Sequence, residues 1–351
     1  MDSRASKLHQ ESIVVSSHDH LHIELRKKRY AGQKAVFSTV YAPLIRQGGV
    51  NVLAFVVGGD STTLVAGSDL PLWGTLEGLD MMWLEAEESS DTMAICLTAA
   101  DIDRTLEAGK IAVILTLEGG RPLEGKPTLD TLGPLRTYHR LGVRHVQLAD
   151  MGRNRLGDGC GAYRTNGGLT QFGCDVVREC NRLGMVVDVA HLNDPGFWDV
   201  AEIAQAPIMD SHSNAWAICP SSHNLRDERI KALAASGGVI GLNCLSDLTA
   251  KEKYWPTTED WIRHLDYMVN LAGIDHVGIG PDHFEDKGEH APGWMEGIYL
   301  GVRDHYHLED CADITQFPNL TEAMVRHGYS DEDIKKVLGE NHLRVYRQIL
   351  G

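Results

Sequence analysis

The sequence predicts an α/β fold, a (β/α)8 TIM barrel formed as one domain over residues 1–351, on three observations. Eight short aliphatic runs recur along the chain. Helical segments fall between most of them, and several of those helices end on a glycine that leads straight into the next run. The third observation is negative. A doubly wound open sheet would need a glycine-rich turn after its first strand, and Ser16-Ser17-His18-Asp19-His20 stands there instead.

Taken in chain order, strands are expected at 12–17, 50–57, 111–117, 143–149, 185–190, 207–210, 239–243 and 276–280. Each is a near-continuous apolar run, as a parallel strand buried on both faces should be. Helices are expected at 98–108, 132–141, 172–183, 227–236 and 258–272, where Thr98 supplies an N-cap and Gly109, Gly142, Gly184, Gly237 and Gly273 supply stops. Two longer stretches, 60–93 and 284–318, read as insertions on the side where barrel loops shape a pocket. In the second, His290, Trp294 and Tyr299 are candidates for setting specificity.

The composition narrows the function classes. Hydrophobic residues at 43% and charged residues at 23% exclude a disordered or fibrous chain. Thirty-three basic against 49 acidic residues give a net charge of −16, so nucleic acid is not an expected partner. Seven cysteines scattered without CxxC spacing argue against a disulfide framework or a cysteine zinc site, and favour a reducing compartment. The polar start MDSRASKLHQES lacks the apolar run of a signal peptide, and no stretch is apolar for long enough to span a membrane. A cytoplasmic enzyme acting on a small molecule, with no membrane partner, is the expectation.

Chemistry-bearing side chains stand at the C-terminal end of one strand after another. The first strand runs into His18-Asp19-His20-Leu21-His22, and alternation places the three histidines on one face. Glu118 ends the third strand, Asp188-Val189-Ala190-His191 the fifth, Asp210-Ser211-His212-Ser213 the sixth and Pro281-Asp282-His283 the eighth. Any one of these has a bland reading: a hydrogen-bonded loop histidine, a capping glutamate, a turn-forming aspartate. Five strands offering imidazole or carboxylate at the same rim is a correlation that loop polarity does not produce, because a barrel brings those ends to one mouth. Such a donor set suits zinc, or manganese or iron, and a shared carboxylate can bridge two ions. Ser211-His212-Ser213 is no nucleophile elbow. His139, His264, His305, His327 and His342 fall in helical or surface contexts and read as structural, and Trp73, Trp83, Trp255, Trp261 and Trp294 as loop or helix-start packing.

In these residues the sequence resembles the membrane (renal) dipeptidase family, peptidase family M19, among the amidohydrolase-like metal-dependent hydrolases. The resemblance covers nearly the whole chain. It runs through His18-x-His20, Leu117-Glu118-Gly119-Gly120, Asp188-Val189-Ala190-His191, Ser211-His212-Ser213-Asn214-Ala215 and Gly237-Gly238-Val239-Ile240-Gly241, then Gly278-Ile279-Gly280-Pro281-Asp282, Phe317-Pro318-Asn319-Leu320-Thr321 and Gly339-Glu340-Asn341. It implies two Zn2+ per chain around an activated water: His18 and His20 on the first ion, Glu118 bridging, His191 and His212 on the second, Asp282 orienting the water or moving its proton. A homo-oligomer is implied as well.

Three positions depart from the family pattern. His20 stands where the family has Asp. Asp150 stands where the family has its substrate-binding His, and His223 where it has the Arg that grips the dipeptide carboxylate. Losing a guanidinium fork and gaining a carboxylate both disfavour an anionic substrate end. The expected activity is therefore hydrolysis of an amide or peptide bond with altered specificity. Ester or lactone hydrolysis, a metal-assisted decarboxylation or elimination, and a non-catalytic relative are the competing readings.

Overall fold

The computed structural model describes residues 3–60, 70–124, 132–253, 255–283 and 307–351. Nine strands form one sheet: β1 (Val14–Asp19), β2 (Val50–Gly59), β3 (Met93–Ile95), β4 (Ile111–Glu118), β5 (Val143–Gln147), β6 (Val186–Asp188), β7 (Met209–Asp210), β8 (Val239–Leu242) and β9 (Val277–Ile279). Eight of them run in the order β1-β2-β4-β5-β6-β7-β8-β9, all pairs parallel, in a nearly closed barrel. A single parallel bridge, Asp19 to His283, joins the last strand end to the first, with His20 N donating to His283 O at 3.0 Å. All eight expected strands are present, with ends displaced by at most three residues.

β3 was not expected. It pairs with the first half of β4, Met93 to Ile111 through Ile95 to Val113, below the point where β5 takes over at Leu115. The stretch read as an insertion at 60–93 also carries an 18-residue helix, Pro71–Glu88, packed on β2. It is the barrel helix that follows β2; Trp73 lies at its start, as expected, and Trp83 well inside it.

Local chemistry sets the helix ends. Thr98 and Asp101 form a reciprocal capping box at Ala99–Glu107, and Thr257 and Asp260 another at Thr258–Ala272. Thr170 caps Gln171–Leu183, which ends on Gly184 at φ 67°. One core cluster joins alternate residues of six barrel strands, among them Val15, Val52, Ile114 and Val239, to Leu343 and Tyr346 of the C-terminal helix Asn341–Leu350. A larger cluster fills the space between the strands and the outer helices. Across the interior, Ser17 Oγ donates to Ser211 O at 2.7 Å and to Ile279 O at 2.9 Å. Gly280 lets these strands close up, since a Cβ there would stand 1.7 Å from Ser211 O. Among the described residues, no helix is long and apolar enough to cross a membrane.

Candidate metal centre

The strand ends deliver their polar residues to one buried rim. Glu118, the last residue of β4, is 4% exposed. Its Oε1 lies 3.4 Å from His18 Nε2, 3.8 Å from His20 Nε2 and 3.6 Å from His191 Nε2. Those nitrogens belong to two groups. His18 and His20 face each other through their Nε2 atoms at 3.2 Å, with Asp282 Oδ1 2.9 Å from His20. His191 and His212 face each other the same way at 3.0 Å. The groups touch where the His18 and His212 rings stack at 3.8 Å.

The backbone is strained where it presents two of these residues. His191 and Asp282 sit at φ 63° and 60°, a left-handed conformation that non-glycine residues seldom hold without compensation. Supporting bonds aim the others. Ser211 Oγ is 2.7 Å from His212 Nδ1, which turns Nε2 toward His191. Asn243 Nδ2 donates to Asp282 Oδ2 at 3.1 Å and to His212 O at 3.4 Å. Asp188 is withdrawn from the donor set: it bonds His145 Nε2 at 2.9 Å and the amides of Ala190 and Ser211, tying β6 to β7.

Burial opposes charge on every group here, and its neighbours decide the outcome. On His20 the carboxylates of Glu118 and Asp282 overcome burial and raise the imidazole to about 9. His191 rises well above its ordinary value despite its burial, held up by Cys160 and by the Glu118 and Asp150 carboxylates beside it. Glu118 falls well below the usual carboxylate range, its burial outweighed by His20 and His18. His212 and His223 are held neutral, first by burial and then by the imidazoles around them. Buried carboxylates among facing imidazole nitrogens demand positive charge, as protons or as cations. His18, His20 and Glu118 form one group whose donor atoms lie within 4.8 Å of one another, and Glu118 with Asp150 and His191 another. This donor chemistry fits a pair of divalent ions.

His18, His20, Glu118, His191, His212 and Asp282 come together at this rim. Asp150 and His223 join the second group: Asp150 Oδ1 is 3.7 Å from His191 Nδ1, and the His223 ring is 4.2 Å from that of His191. His191, His212 and His223 themselves satisfy the same 4.8 Å spacing. One expectation needs correction. His22 does not share a face with His18 and His20, because β1 ends at Asp19 and His22 opens the helix His22–Tyr30, its ring 5.5 Å from that of His20. His264 and His342 lie on helices, as expected, and both are buried, the former bonded to Ala215 N and Thr249 O. His290, Trp294, Tyr299 and His305 lie outside the described residues. Sequence reasoning missed Asn243 and Cys160; the signal for the first was a lone amide directly after the apolar β8.

The sequence profile of the membrane dipeptidases, peptidase family M19, matches residues 2–350. The chain belongs to this family. Within the M19 dipeptidases it is similar to dipeptidase tcpJ of Claviceps purpurea, 30% identical over 329 residues, 93% of this chain and 69% of that one. It is 31% identical over 287 residues to a protein from the pqqA 5′ region of Klebsiella pneumoniae, 77% of this chain and 97% of that one. A metallopeptidase of Rhodobacter sphaeroides, solved with a phosphinate mimic of the dipeptide L-Ala-D-Ala, matches with a TM-score of 0.79 at 25% identity over 97% of this chain and all of that one. The chain is a dipeptidase-like metallohydrolase on the M19 barrel.

Proposed function

We propose that this M19 member cleaves an amide bond of a small substrate at two zinc ions, with a specificity other than that of a general dipeptidase. The observation that carries the reading is the position of Glu118, one carboxylate oxygen within 3.4 to 3.8 Å of ring nitrogens from both histidine groups. His18, His20 and Glu118 would hold one ion; Glu118, His191 and His212 would hold the other. Bound there, the pair would acidify a water and polarise the scissile carbonyl.

The chain's own residues supply the rest. Asp282 is fixed through Oδ2 by Asn243, which leaves Oδ1 turned to the rim, placed to take a proton from water and return it to the leaving amine. Burial of all these groups excludes bulk water from the reacting centre.

Specificity follows from the second histidine group. His223 presents a neutral imidazole to His191 and His212, so it offers no guanidinium fork to a substrate carboxylate. Asp150 adds a carboxylate beside His191. Arg226 and Arg229 stand instead in a neighbouring cavity of about 180 Å³ lined also by Cys160, Asn193 and Trp216, both paired there with Asp194, and Arg226 stacks over Trp216 at 4.3 Å. An anionic substrate group would be received there.

The test is a panel of L-dipeptides, N-acyl amino acids, esters and lactones, assayed with metal-free and zinc-restored protein. The reading predicts zinc-dependent release of two fragments from an amide substrate and weak turnover of simple L-dipeptides. Carbon dioxide release, or turnover without metal, contradicts hydrolysis at this site. Robust cleavage of many simple L-dipeptides contradicts the altered specificity.

A further inference from the structure

Behind the rim lies a second set of ligand-type side chains that the catalytic reading does not use. Cys244 follows β8 by two residues, His283 stands next to Asp282, and Cys311 lies where the chain returns to the barrel at Leu308–Cys311. The two sulfur atoms and a ring nitrogen of His283 all lie within 4.8 Å of one another. All three residues are at most 3% exposed.

The backbone holds the three in register. Cys244 N donates to Pro281 O at 3.1 Å, Leu308 N to Cys244 O at 3.1 Å and Cys311 N to Leu308 O at 3.2 Å. His283 Nε2 is 3.1 Å from the carbonyl of Cys311, which fixes its proton on Nε2, while Nδ1 has no hydrogen-bond partner among the described residues. A ring with one nitrogen bonded to a carbonyl and the other left open is the arrangement of a metal-binding histidine. Asp19 pairs with His283 through the backbone, is 1% exposed, and has both carboxylate oxygens without a hydrogen-bond partner among the described residues. A carboxylate left so in the interior is costly unless a cation answers it.

We propose that Cys244, Cys311 and His283 form a zinc site separate from the catalytic pair, with the Asp19 carboxylate beside His283 balancing its charge. Two thiolates and one imidazole, all closed to water, are a soft donor set that suits zinc. Both thiols would lose their protons on binding. The ion would tie the ends of β8 and β9 to the returning chain, one residue away from Asp282. It makes no use of the catalytic ligands, so the site stands whether or not the binuclear reading does.

Cobalt substitution of the full-length protein tests it. Sulfur ligation gives cobalt an intense near-ultraviolet charge-transfer band, which histidine and carboxylate ligands do not. The site predicts that band in the wild type, its loss in Cys244→Ser and in Cys311→Ser, and one metal ion fewer per chain in each variant. The catalytic ligands are untouched by these substitutions, so failure of the binuclear reading would appear as a different metal deficit with the sulfur band intact. Absence of the band in the cobalt-loaded wild type overturns the proposal even if neither variant folds. So does a disulfide map of the protein that links Cys244 to Cys311.

Discussion

The two histidine groups around Glu118 balance their charge differently. The first sets two imidazoles against two carboxylates, Glu118 and Asp282, all from the ends of β1, β4 and β9 and all nearly closed to water. The second sets three imidazoles, His191, His212 and His223, against the shared Glu118 and against Asp150, whose side chain is 20% exposed. Its outer members, Asp150 and His223, come from loops rather than strands. Rigid strand ends suit a fixed ion and a proton carrier, while loop residues are the ones that can be exchanged to fit a new substrate. Two of the three departures from the family pattern fall in the second group.

The largest effect should come from the residue the groups share. Glu118→Gln is expected to lose both ions and to lower kcat/KM on the order of a thousandfold or more, as read by metal analysis and hydrolysis. Removing one group should do less to the metal count: His20→Ala is expected to lose one ion per chain and keep the other. His223→Ala should weaken the second ion about 10- to 100-fold in a zinc competition titration and leave the first unchanged. If neither affinity moves, His223 belongs to substrate binding alone and the contrast between the groups narrows. The double variant Asp150→His with His223→Arg should raise turnover of simple L-dipeptides by about tenfold or more, chiefly through KM. Smallest is Asn243→Ala, which should lower kcat about tenfold with metal content unchanged, since it only steadies Asp282.

How much of this could be read from the sequence depends on how local the signal is. The eight barrel strands were legible because burial on both faces makes each a continuous apolar run, as in Ile111–Glu118. Met93–Ile95 is too short to show a period. The Pro71–Glu88 helix was hidden by its glycines; Gly78 lies so close to β2 that a Cβ would stand 2.0 Å from Val57 O, so a packing requirement broke the helical pattern. The rim of buried imidazoles and carboxylates was legible because its residues recur at equivalent strand ends. The Cys244, His283 and Cys311 cluster was not, because its members are 39 and 28 residues apart (283 − 244 and 311 − 283) with no repeating spacing.

The central claim is that one carboxylate joins two cations. Anomalous diffraction at the zinc edge from zinc-loaded crystals tests it directly. The account predicts two peaks flanking Glu118, each about 2.0–2.2 Å from one of its oxygens, one beside His18 and His20 and the other beside His191 and His212. A single peak at the rim, or two peaks neither of which Glu118 ligates, would contradict it.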